Sequence, residues 1–171
     1  MKILITYFSQ SGNTKMIAEA MKIGLSTEEV DLKPINEMDP TDFGKYDLVF
    51  LGSGVYASRV HNSVVNLMKE VTEFPIKFVY FCTHASLELY QTPFAKVTKI
   101  LDKNNCIIIG KFDCVGENKV MSLENRMQAI NNLSAKERNK ALNNLKLTEG
   151  RPNEKDIENA KEFAQSILQK I

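Results

Sequence analysis

Apolar positions along the chain follow two alternating patterns. Short continuous runs predict strands at "KILITYF" (2–8), "DLVFLGS" (47–53), "IKFVYFC" (76–82) and "NCIIIGKF" (105–112). "EEVDLKPI" (28–35) instead alternates Val30 with Leu32 and then meets Pro34, the pattern of an edge strand. Between these runs lie stripes at helical spacing. One is Met16, Ile17, Ala20, Met21 and Leu25; a second is Val64, Leu67, Met68 and Val71. A third, Phe94, Val97 and Leu101, is opened by Thr92 as N-cap and Pro93 at the first helical position. Strands that do not alternate are buried on both faces, as in a parallel sheet covered by helices. Five strands alternating with helices predict an α/β fold, a doubly wound five-stranded parallel sheet.

Residues 115–150 break this rhythm. Ser122 is placed to cap a helix with Leu123, Met127 and Ile130 as its stripe. Ser134 and Glu137 make a capping box for another helix that carries Leu142 and Leu145. A last helix is expected to begin near Pro152 and to bury Ile157, Ala160, Ala164, Ile167, Leu168 and Ile171. The reading is one domain over residues 1–171, with 115–150 a helical insertion before the C-terminal helix. Because "CIIIG" is too apolar for an open edge, the insertion is expected to cover the fifth strand.

Composition narrows the function. The chain has 171 residues, 43% of them hydrophobic, and 22 basic against 21 acidic residues, with no basic block of the kind nucleic-acid binding needs. The longest apolar runs are strand-sized, so no membrane span is expected, and the N-terminus turns polar at Ser9, too soon for a signal-peptide core. A cytoplasmic location is the expectation. Cys82, Cys106 and Cys114 have no metal-ligand spacing and read as buried thiols. No nucleophile, metal or paired-carboxylate constellation is visible, so neither catalytic side chains nor metal ligands are assigned.

The chemistry sits in "YFSQSGNTKMIAEAM" (7–21), where Ser9, Gln10, Ser11, Gly12, Asn13 and Thr14 fill the seam between the first strand and its helix. Such a turn presents unpaired backbone N–H groups and the positive end of a helix. Short hydroxyl and amide side chains add donors, and a glycine lets backbone approach a ligand closely. Charge-assisted hydrogen bonds are worth about 1.5–3 kcal/mol each, so several hold a phosphate without a lysine. A helix cap with surplus hydroxyls is the plainer alternative. Neither G-x-x-x-x-G-K-[ST] nor G-x-G-x-x-G is present, which argues against a nucleotide triphosphatase and a dinucleotide site. A phosphorylatable receiver would want acids where Ser9, Ser53 and Gly54 stand.

At these residues the chain resembles the flavodoxins, whose [ST]-x-[ST]-G-x-T phosphate loop is matched by "SQSGNT". Flavodoxins are themselves a standard example of strand order 2-1-3-4-5 with FMN at the strand-one/strand-three switch point. The resemblance implies FMN as cofactor, with Ser9 to Thr14 on its phosphate. It also implies that the loops after strands three and four meet the flavin ring. In the first, "GSGVYASRV" (52–60), Gly54, Val55, Tyr56 and Ala57 are the candidates, Tyr56 by stacking. Many flavodoxins have glycine directly after this aromatic, and Ala57 departs from that. In the second, "CTHASLELY" (82–90), Thr83, His84 and Ala85 would face the pyrimidine edge, His84 being a candidate donor. Glu88 is the first acid there, and Tyr90 is a candidate cover for the ring's other face. His61, beside Arg59, is expected to face solvent.

The resemblance implies an electron-transfer protein working with a redox protein partner or a small quinone-like acceptor. Its alternative is a small FMN-dependent oxidoreductase acting on a quinone or porphyrinogen, to whose loop and helix "YASRVHNSVVNLMKE" is faintly similar. A flavodoxin-fold binding module that has lost FMN is a third reading, and the intact "SQSGNT" speaks against it.

Overall fold

The computed structural model describes residues 1–87 and 92–171, so the positions of Glu88 and Tyr90 lie outside the described residues. In chain order the elements are β1 (Lys2–Phe8), α1 (Asn13–Gly24), β2 (Glu29–Pro34), β3 (Leu48–Tyr56), β4 (Arg59–Val60) and α2 (Asn62–Glu70). They continue with β5 (Lys77–His84), α3 (Ala95–Lys103), β6 (Ile107–Val115), α4 (Leu123–Asn131), α5 (Ala135–Thr148) and α6 (Glu154–Leu168). Five strands pair in parallel in the order β2-β1-β3-β5-β6. This is the expected flavodoxin order, with β2, the strand that ends in Pro34, at one edge. The addition is β4, two residues paired antiparallel to the end of β3, Val55 with Val60 and Tyr56 with Arg59.

Alternate residues of the central strands feed two apolar layers. Leu4, Val49, Leu51, Phe78 and Tyr80 pack beneath Val64, Leu67 and Met68 of α2 and Val97 and Leu101 of α3. Ile3, Ile5, Phe50, Val79 and Phe81 pack beneath Ile17, Ala18 and Met21 of α1 and Ala160, Ala164 and Ile167 of α6. Helices α1 and α6 touch at Gly24, where an added Cβ would lie 2.4 Å from the Lys161 carbonyl oxygen. Gly24 is therefore fixed by backbone approach, and Met16, expected on the buried stripe, is left exposed.

Three other expectations shift. Helix α3 starts at Ala95, not Pro93, and its cap is Phe94 rather than Thr92. The cause is tertiary: the Pro93 carbonyl accepts the Val60 N–H of β4 at 3.1 Å, and the Phe94 ring stacks on Tyr80 at 4.2 Å. Helix α6 starts at Glu154, because Asn153 and Asp156 form a reciprocal capping box, and it ends before Ile171, which is exposed. The helices between β6 and α6 form where Ser122 and the Ser134–Glu137 box place them. They reach the loop after β5 and do not shield β6, which among the described residues pairs only with β5 and leaves Ile107, Lys111 and Asp113 exposed.

Candidate functional site

The carboxyl ends of β1, β3 and β5 converge on one cavity of about 230 Å³. Its floor is the turn from β1 into α1. Gly12 is the helix N-cap at φ +89°, a left-handed conformation that favours glycine, and nothing lies within 4 Å of where its Cβ would be. Asn13 and Thr14 are buried in the first turn. The Thr14 hydroxyl shares a 2.8 Å hydrogen bond with the hydroxyl of Thr83 at the end of β5, tying the first loop to the third. Asn13 donates from Nδ2 to the Glu117 carbonyl at 2.8 Å. The Ser9 hydroxyl and the Asn13 Oδ1 are buried without a hydrogen-bond partner. Orphaned polar atoms of this kind cost stability unless something fills them.

The second wall is the β3–β4 hairpin. Its two turn residues, Ala57 and Ser58, both have positive φ, 47° and 65°. Two such residues are what a two-residue hairpin loop demands, and non-glycine residues adopt them at a cost. The hairpin is fixed at its base by Ser53, whose Oγ accepts the His61 N–H at 3.1 Å. His61 does not face solvent as expected. It caps α2 by accepting the Ser63 N–H, and it stacks on Phe8 with ring centroids 3.7 Å apart. Tyr56 stands edge-on to both rings. Burial pushes the Tyr56 hydroxyl pKa up, partly offset by the backbone N–H of Gln10 that faces it.

The third wall begins at Thr83, His84 and Ala85. Both His84 ring nitrogens are engaged, one with the Ser86 carbonyl at 2.6 Å and one with the Asp113 carboxylate at 3.2 Å. That hydrogen bond, together with the His84 charge, holds the Asp113 carboxyl below the usual carboxylate range against a smaller opposing effect of burial. Asn144 of α5 then clamps the loop from both sides. Its Nδ2 donates to the Ala85 carbonyl at 2.7 Å, and its Oδ1 accepts the Leu87 N–H at 2.9 Å.

Among the predicted site residues, Gln10, Ser11, Asn13, Thr14, Gly54, Val55, Tyr56, Thr83, His84 and Ala85 line the cavity. Ser9, Gly12 and Ala57 are not among the lining residues; the first two belong to the same turn, and Ala57 sits out at the hairpin turn. The sequence reading missed the fourth wall: Gly116, Glu117, Asn118, Val120 and Met121, directly after β6. One signal was available, since "GEN" (116–118) follows the carboxyl end of a strand, where open α/β sheets place their ligand loops. A larger cavity of about 630 Å³ between α3 and β6 contains none of the predicted residues. Its thiol, Cys82, is pushed by burial up to about 12 and is chemically quiet. Among the described residues, no cluster of His, Cys, Asp and Glu could hold a metal ion.

A parallel sheet in this order, with a hydroxyl-rich glycine loop at its switch point, defines the flavodoxin-like class of proteins. The chain belongs to the flavodoxin family: the family's flavodoxin domain matches residues 4–165. It is 30% identical to an uncharacterized protein of Methanocaldococcus jannaschii over 98% of this chain and 99% of that one. It is 29% identical to the flavodoxin-like domain-containing protein BilS of Clostridioides difficile, over 98% of this chain and 97% of that one. Among solved structures, oxidised flavodoxin 2 of Bacillus cereus superposes with a TM-score of 0.67 at 20% identity, over the full length of both chains. A Lactobacillus acidophilus flavoprotein in complex with FMN matches at 0.54 and 20% identity, over 66% of this chain and 92% of that one. Family and neighbours together point to FMN as the cofactor. No described helix is long and apolar enough to cross a membrane.

Proposed function

We propose that this protein holds FMN in the crevice over β1, β3 and β5 and transfers electrons through it, as a carrier of the flavodoxin kind. The observation that carries the reading is the pair of orphaned buried polar atoms, the Ser9 hydroxyl and Asn13 Oδ1, on the turn where positive-φ Gly12 caps the N-terminus of α1. A phosphate over that loop would accept from Ser9, Ser11, Thr14 and the free backbone N–H groups of the first turn. Asn13 Oδ1 is an acceptor left over for a sugar-like hydroxyl. Gly54, Val55 and Tyr56 would flank one side of the ring, and Thr83, His84 and Ala85 its polar edge. Bound FMN supplies one- and two-electron chemistry, which no described side-chain constellation provides. The polypeptide's part is to bind, orient and exclude water. His84, with both ring nitrogens engaged by Asp113 and Ser86, is held rigidly at the cavity wall.

The partner is a redox protein or a small quinone-like acceptor, and the setting is cytoplasmic. A second reading, a small FMN-dependent oxidoreductase acting on a quinone or porphyrinogen, is favoured by one feature. Val120 and Met121, both well exposed, form an apolar rim on the cavity. Purification with flavin identification, then fluorescence titration of the apoprotein with FMN and with riboflavin, tests the first claim. FMN should bind far more tightly than riboflavin. Equal affinity would remove the phosphate loop from the argument. Steady-state turnover with quinones, compared with single-turnover transfer to a redox protein, separates enzyme from carrier.

A further inference from the structure

The helical excursion borders a second, open-sided chamber of about 250 Å³, lined by α4, α5 and the loops after β5 and β6. Three residues, Ala85, Asn118 and Met121, line both this chamber and the cofactor cavity, so the two spaces are neighbours with a shared wall. The chamber's only charged lining residue among those described is Arg126, and no acid lines it. Arg126 is well buried, its side chain 14% exposed, and its Nε–H has no hydrogen-bond partner. Its ion pair is a loose one, Nη2 to Glu117 Oε1 at 3.6 Å, and the other Glu117 oxygen is engaged by the Gly150 N–H. A guanidinium offers five donors in a rigid fork, and a buried one left with an empty donor calls for an acceptor. Asn118 stands at the junction. Its Oδ1 accepts the Val120 and Met121 N–H groups, which leaves the Nδ2 donor with no described partner. Asn144 and Thr148, the remaining polar lining residues, spend their side chains on Ala85, Leu87 and Leu145.

We infer that this chamber is the subsite for the acid group of a small, flat, carboxylate-bearing electron acceptor or donor. Its carboxylate is received by Arg126 and Asn118, and its apolar body lies along Met121 and Val120 toward the cofactor cavity. The assignment gives the excursion a task the rest of the fold does not supply: it sets a donor-rich pocket, whose guanidinium is only loosely paired with Glu117, beside the cofactor cavity. Only the purpose of the site rests on the FMN reading. Binding of the acid does not.

The test uses the full-length protein and two planar probes of equal size, anthraquinone-2-carboxylate and anthraquinone-2-carboxamide, titrated calorimetrically. The carboxylate should bind the wild type more tightly than the amide by about tenfold or more. Arg126→Gln should abolish that preference, and Arg126→Lys should recover only part of it, because a point charge lacks the fork. Should Arg126→Gln fail to fold, Asn118→Asp gives an independent reading: a carboxylate at the junction should reverse the preference while Arg126 remains. Equal affinity of the two probes for the wild type overturns the proposal. So does a preference that survives in Arg126→Gln or Asn118→Asp. The titration makes no use of flavin chemistry, so failure to bind FMN and failure to prefer the acid are separate outcomes.

Discussion

Replacing Ser9 with alanine should move two measurements in opposite directions. The hydroxyl is buried, and no described protein group bonds it. A buried hydroxyl in that state costs about 1–3 kcal/mol, and alanine removes it while nearly keeping the shape. For a 171-residue chain, 1 kcal/mol corresponds to roughly 2–4 °C in Tm, so apoprotein Ser9→Ala should melt about 2–12 °C higher than wild type. FMN binding should weaken, because a charge-assisted bond of about 1.5–3 kcal/mol to the phosphate is gone, a loss of roughly 10- to 150-fold in affinity. With excess FMN the two melting curves should therefore approach one another or cross, since ligand-linked stabilisation shrinks as affinity falls. Ser11→Ala is the control. Its partly exposed hydroxyl is not among the orphaned atoms, so it should lose FMN affinity without the gain in apoprotein stability. Circular dichroism melts and FMN-fluorescence titrations read both quantities. An apoprotein that melts no higher, together with unchanged FMN affinity, would show that Ser9 neither contacts a phosphate nor destabilises the fold by an unmet hydrogen bond.

Two further expectations concern the frame of the site. At Asp156, burial acts to raise the pKa. Hydrogen bonds from Arg151 and the Asn153 N–H, with the Arg151 charge, outweigh it and hold the carboxyl below its ordinary value. The carboxylate thus stabilises the fold above about pH 4, and that contribution is lost as pH falls through the lower folded-state pKa. Asp156→Asn should cost about 1–3 kcal/mol in urea melts at pH 7 and progressively less toward pH 2, and a gap that widens on acidification would contradict this. Ala57 holds φ at +47° in the hairpin turn, so Ala57→Gly should raise stability by about 0.5–1 kcal/mol, net of the freedom glycine gains when unfolded. Chemical denaturation giving a loss instead would mean that the alanine methyl group packs more than the backbone strains.

Much of the fold was legible because its signals are local. Continuous apolar runs mark strands buried on both faces, Pro34 marks an edge, and Ser122, Ser134 and Glu137 mark helix starts by bonds that span three residues. The hydroxyl-rich loop was legible for the same reason: its donors and its glycine are consecutive. What stayed hidden depends on partners far away in sequence. Thr14 meets Thr83, Asn13 meets Glu117 and Asn144 meets Ala85, pairs separated by 69, 104 and 59 positions. No periodicity encodes such pairs, because a hydrogen bond across a turn of sheet needs only one atom in place and leaves the pattern around it free. His61 read as solvent-facing for want of any sign that Phe8 would lie beneath it, and Thr92 read as a cap because the pull of β4 on Pro93 acts only once the hairpin has formed. The sequence by itself determined the strands, the edge position of β2 and the hydroxyl-rich turn after β1, since each follows from residues within a few positions of one another. The strand order was legible only through the resemblance to flavodoxins. Tertiary structure alone decided how the excursion closes on that turn, because the contacts that bring Glu117, Asn118 and Arg126 beside it exist only after the chain has folded back from β6.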